Sequence, residues 1–184
     1  MVFRHTLAAL LCALVAGVIS ASVSASEQRT ALEHDIKAAY LYNFTRFVSW
    51  PAGIPPASEP FRVCVLADAT TTAAVQRTMQ GETVDGRPMS TLVPASAADI
   101  KSCQLLFVDA TVEEKAVEML AAAREAPVLV VGDGENITKR GGAIAFVKEQ
   151  GKVRFDIASR NAHRSGLTIS SRLLSVARRT DVDK

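Results

Sequence analysis

Three short runs, FRVCVL at 61–66, CQLLFV at 103–108 and PVLVV at 127–131, are apolar at nearly every position. A strand with one wet face alternates apolar and polar residues. A strand that is apolar throughout is buried on both faces, the condition met in a parallel sheet covered by helices on each side. Helical patterns lie between and around these runs. Over 35–49, Ile36, Ala39, Tyr40, Phe44, Phe47 and Val48 recur at three- and four-residue steps, and Trp50-Pro51 stops the helix. Residues 71–79 form a second helix after Asp68 or Thr70 as cap. Residues 111–124 form a third, with Thr111 and Glu114 matching a capping box. The stretch 143–148 and the stretch 152–157 are strands too closely spaced for anything but an antiparallel hairpin, and 161–179 is helical in pieces. The pattern predicts an α/β, Rossmann-like three-layer sandwich, mostly parallel, with an antiparallel hairpin near the C-terminus.

The first 25 residues read differently. Arg4 and His5 precede an apolar run over 7–19, and Val23-Ser24-Ala25 fits the small-x-small cleavage rule. This order is that of a secretory signal peptide, and the run is short of the roughly 20 residues a membrane span needs. The expectation is a signal at 1–25, cleavage after Ala25, and a single domain at 26–184 in the periplasm with no membrane insertion of the mature chain. Of the three cysteines, Cys12 leaves with the signal. Cys64 and Cys103 remain as an even pair, one inside the run at 61–66 and one opening the run at 103–108. In an exported domain such a pair predicts a disulfide in preference to two buried thiols.

A formal net charge of +2 is not the footprint of a nucleic-acid binder. No Gly-x-Ser-x-Gly elbow, phosphate loop or Cys-x-x-Cys occurs, and His34 and His163 lack metal-ligand spacing. Gly132-Asp133-Gly134 follows a strand but lacks the third glycine of a dinucleotide fingerprint, so it reads as a turn. Neither a catalytic constellation nor a cofactor or metal site is expected. One cluster bears on binding: Arg154, Arg160, His163 and Arg164 gather around the hairpin exit, and guanidinium groups hold phosphate or carboxylate bidentately. The alternative is a solvated polar face.

Several blocks together resemble a known family. Ile36-Lys37-Ala38-Ala39-Tyr40-Leu41-Tyr42-Asn43-Phe44 through Trp50-Pro51 is similar to the opening helix of the YfiR family of periplasmic proteins. Gly86-Arg87-Pro88, the cysteine-bearing strand at 103–108, the Gly141-Gly142-Ala143-Ile144 and Val153–Ile157 hairpin, and Gly166-Leu167-Thr168-Ile169-Ser170-Ser171-Arg172-Leu173-Leu174 resemble its later blocks. At Ala158 that pattern usually has asparagine, and the second cysteine pair of some members is absent. The resemblance implies a Rossmann-like, often dimeric domain. It also implies a repressor that binds the periplasmic sensor region of an inner-membrane diguanylate cyclase of the YfiN type. An outer-membrane lipoprotein of the YfiB type would draw it away, raising cyclic di-GMP and biofilm output. The residues alone leave a rival, a sensor for a nucleotide or amino-acid-like ligand docking near the arginine cluster.

Overall fold

The computed structural model describes residues 28–181, so the expected signal peptide lies outside the described residues. Residues 28–33 are helical and belong to a separate unit from the domain proper, which begins at residue 34. It opens on α1 (residues 34–47), followed by β1 (Val48–Ser49), β2 (Phe61–Leu66), α2 (Ala69–Met79), β3 (Thr83–Val84) and β4 (Arg87–Leu92). Next come α3 (Ala97–Ile100), β5 (Leu105–Val108), a 3-10 segment (Ala110–Ala116), α4 (Val117–Arg124), β6 (Leu129–Asp133) and α5 (Asn136–Lys139). The chain closes with β7 (Ile144–Glu149), β8 (Lys152–Ile157), α6 (Ser159–Arg164), β9 (Thr168–Ile169), α7 (Ser171–Val176) and β10 (Arg179–Thr180).

The expected sheet is present. Eight strands run in the order β10-β8-β7-β6-β5-β2-β4-β3, and β4, β2, β5, β6 and β7 are mutually parallel. Numbered along the chain, those five have the flavodoxin-like order 2-1-3-4-5. β7 and β8 form the antiparallel hairpin, with Glu149 opposite Lys152. Its turn, Gln150-Gly151, holds positive φ at both residues, the two-residue geometry whose twist matches the flanking strands.

Period-2 alternation divides each buried strand between two cores. Val63, Val65, Leu105, Phe107, Leu129, Val131 and Phe146 face α1 and α2, where Tyr40, Phe44, Phe146 and Phe155 stack with centroids 5.0–5.9 Å apart. Cys64, Leu106, Val108, Val130 and Ala145 face the other way, onto Ile100, Leu120 and Ile137. The Cys64–Cys103 disulfide lies in this second core with Cα atoms 5.8 Å apart, ordinary for a bridge.

The third helix differs from its expected form. Residues 110–116 are 3-10, and only 117–124 are α-helical. The start is set by Asp109, whose carboxylate accepts from Thr111 N at 2.8 Å and Thr111 Oγ1 at 2.7 Å, rather than by Thr111 as cap. The Glu114 side chain lies outside the described ones. Nor is Gly132-Asp133 a turn: both residues belong to β6. The first helix ends two residues early, because Val48-Ser49 turns extended to pair with β9.

Candidate functional site

In open α/β sheets ligands bind outside the carboxyl ends of the strands where the strand order reverses, here between β2 and β5. The polar residues at that edge are already engaged. Asp68 caps α2, accepting from Thr71 N at 2.8 Å, and that bond holds its carboxyl below the usual aspartate range against the opposing pull of burial. Asp109 starts the 3-10 segment, and Thr71 Oγ1 lies 2.6 Å from His34 Nδ1. Asp133, at the end of β6, pairs with Lys37 of α1 at 2.6 Å, with side chains 24% and 10% exposed. These contacts pin α1 and α2 over the sheet, and the same carboxylates serve as caps and ion-pair partners.

The opposite edge, at the amino ends of the parallel strands, collects the distinctive sequence blocks. Val48-Ser49 pairs with Thr168-Ile169, and Ser170 N donates to Phe47 O at 2.9 Å, so the opening and closing blocks are joined by backbone. Trp50 packs edge-on to Phe61 at the start of β2 and donates its indole N–H to Gln104 O, just before β5, at 3.1 Å. Arg87, first residue of β4, donates to Pro55 O and fixes the proline-rich loop at 51–60.

Three of the predicted ligand-binding residues come together here. Arg160, His163 and Arg164 on α6 line a cavity of about 500 Å³ with Leu167, Thr168 and Ile169. Arg154 is placed apart from them, exposed on β8 opposite Val147 and outside that cavity's lining. On the other side of Arg164 a second cavity of about 390 Å³ is lined by Arg124, Lys139, Gly141, Asn161, Arg164 and Ser165. Asn161 is buried, and its amide donates to Thr138 O and Gly142 O, both at 2.8 Å, while its oxygen accepts from Arg164. Sequence reasoning missed Asn161, Arg124 and Lys139. The available signal was cations at helix ends, where they complement the negative end of the helix dipole.

Among the described residues no group of three or more His, Cys, Asp or Glu side chains is arranged to hold a metal, and no helix is long and apolar enough to cross a membrane.

A model of the family described as YfiR/HmsC-like matches residues 34–178. None of the curated proteins matches. Among solved structures, that of a conserved domain protein from Vibrio cholerae O1 biovar eltor is similar, with a TM-score of 0.48 at 15% identity. The match covers 65% of this chain and 54% of that one, so this chain matches about half the length of that protein.

Proposed function

Because the chain belongs to the YfiR/HmsC-like family, whose members are periplasmic regulators of cyclic di-GMP signalling, we propose that it represses an inner-membrane diguanylate cyclase by binding the cyclase's periplasmic sensor region. The observation that carries this reading is the family match over 34–178, which spans the whole described domain almost to its last strand. A repressor must bind the inactive cyclase more tightly than the active one, and turning a mostly active population mostly inactive takes several kcal/mol of differential affinity. A homodimer gripping a dimeric sensor at two points supplies it through effective concentration. An outer-membrane lipoprotein competing for the same domain relieves the repression.

The contact surface lies outside Phe44 and Leu173. Phe44 and Leu173 are buried in the first core, and Tyr40 stacks on Phe146 and Phe155. Reduction of the disulfide would relieve repression through the fold: Cys64 and Cys103 are 0% and 2% exposed, so losing their bond loosens the second core instead of altering a surface thiol.

The test is capture. The exported protein, used as bait on detergent-solubilised inner membranes, retains a diguanylate cyclase with a periplasmic segment, and adding it to that purified cyclase lowers cyclic di-GMP synthesis. Retention of no cyclase, or a retained cyclase whose rate is unchanged, refutes the proposal. A second reading, a periplasmic sensor of a small nucleotide or amino-acid-like ligand, is favoured by the α6 cavity, where Arg160, His163 and Arg164 face Leu167 and Ile169. The two readings are compatible if ligand occupancy tunes partner affinity.

A further inference from the structure

The 390 Å³ cavity on the far side of α6 is built from the ends of three helices. Arg124 is the last residue of α4, Lys139 the last of α5 and Arg164 the last of α6. Each cation is suited to its helix end, but together they place three like charges around one space. Like charges brought this close repel, and a buried or nearby carboxylate would ordinarily relieve them. None does so here: among the described residues Arg124 donates to the Arg140 carbonyl and Arg164 to the Asn161 amide oxygen. Among the described residues Asp133 pairs with Lys37, Asp35 with Arg77, and Glu135 and Asp156 with Arg178 and Arg179.

The space is also held open by the backbone. Gly141 lines it at φ +94°, and a Cβ there would lie 2.5 Å from Arg124 Nε. Only glycine allows the chain to adopt this conformation and the guanidinium to lie so close. The buried Asn161 amide ties the α5–β7 connection to α6 and orients Arg164 with the same side chain. Ser165 adds a hydroxyl to the lining. Arg124 further borders a cavity of about 380 Å³ lined by Val117, Leu120 and Ala121. A ligand whose charged end sits among the three cations therefore meets apolar surface just beyond Arg124.

We propose that this cavity binds a phosphomonoester, its phosphate held between Arg124, Lys139 and Arg164 and its organic part lying toward Val117 and Ala121. A tetrahedral dianion accepts hydrogen bonds from three directions at once, and guanidinium forks match two of its oxygens. The space exceeds what a bare phosphate fills, since even a water molecule's share of liquid is only about 30 Å³. The inference stands apart from the cyclase reading, because it concerns the purified protein alone.

Phenyl phosphate and inorganic phosphate are the probes, titrated by calorimetry into the exported protein in phosphate-free buffer. Phenyl phosphate is expected to bind saturably, one per chain, and more tightly than inorganic phosphate. Lys139→Gln is the cleanest variant, since that side chain is exposed at the cavity and its substitution is expected to leave the melting temperature unchanged. It and Arg164→Gln should each weaken binding about tenfold, the loss of one charge-assisted contact. Arg172→Gln, an exposed cation on α7 outside the cavity, should leave it unchanged. Absence of saturable binding overturns the proposal. So does equal affinity for both probes, or equal weakening by Arg172→Gln, which would mean diffuse attraction to a basic surface.

Discussion

Asp156 is the most constrained side chain of the C-terminal segment. It is 1% exposed and is gripped by two consecutive arginines: Arg178 reaches both carboxylate oxygens at 2.8 and 2.5 Å, and Arg179 reaches Oδ2 at 2.8 Å. Glu135 completes the network at 2.7 and 2.6 Å from the same arginines. Burial alone would raise the Asp156 pKa, but the Arg178 and Arg179 hydrogen bonds and charges outweigh it and hold the carboxyl below the usual aspartate range. Glu135 is lowered as well, chiefly by its bond from Arg178. A carboxyl lowered in the folded state stabilises fully above its unfolded value, about 3.9 for aspartate, and loses that contribution as pH falls through the folded value. The melting temperature should therefore fall as pH drops below about 4. Asp156→Asn should lower it already at neutral pH and flatten the acid limb. An acid limb in Asp156→Asn as steep as in the parent would rule this network out as its source.

At the scale of elements, the disulfide joins β2 to the segment entering β5, strands already paired in parallel register with Cys64 opposite Leu106. Closing a loop of 39 residues stabilises by about 4 kcal/mol in the chain-entropy model. That is a large share of a domain's usual margin of about 5–15 kcal/mol. Cys64→Ala should lower the melting temperature by roughly 10 °C or more, at about 2–4 °C per kcal/mol for this size. Because both sulfurs are buried, dithiothreitol should reduce the native protein slowly and the urea-unfolded protein fast; equal rates would mean the bridge opens without the core. The cysteine pairing and the strands it joins were legible in the sequence because a strand buried on both faces leaves a continuous apolar run. The two-residue strands β1, β9 and β10 and the one-turn helices α3 and α5 were not, since elements so short carry no periodicity. The arginine cluster was legible only in part. Chain proximity grouped Arg154 with α6, but the strand carries it away, whereas Arg124 and Lys139 reach Arg164 from distant segments that spacing cannot connect.

For the whole molecule, the blocks that resembled a known family from sequence adjoin in space. The opening helix runs into β1, β1 pairs with β9 of the closing block, and Arg87 of the middle block braces the proline loop between β1 and β2. Such convergence explains why those residues read as signatures while the surrounding surface does not: each holds another in place. Folding supplies the frame, and the proposed repression requires that frame to meet a membrane protein from the periplasmic side. The measurement that tests this most directly is intracellular cyclic di-GMP in a strain lacking the gene, complemented either with the full chain or with a version starting at residue 26, which lacks the expected signal peptide. Deletion is expected to raise cyclic di-GMP, the full chain to restore the parental level, and the version starting at residue 26 to leave it raised. Unchanged cyclic di-GMP on deletion, or equal restoration by both versions, would contradict repression through contact in the periplasm.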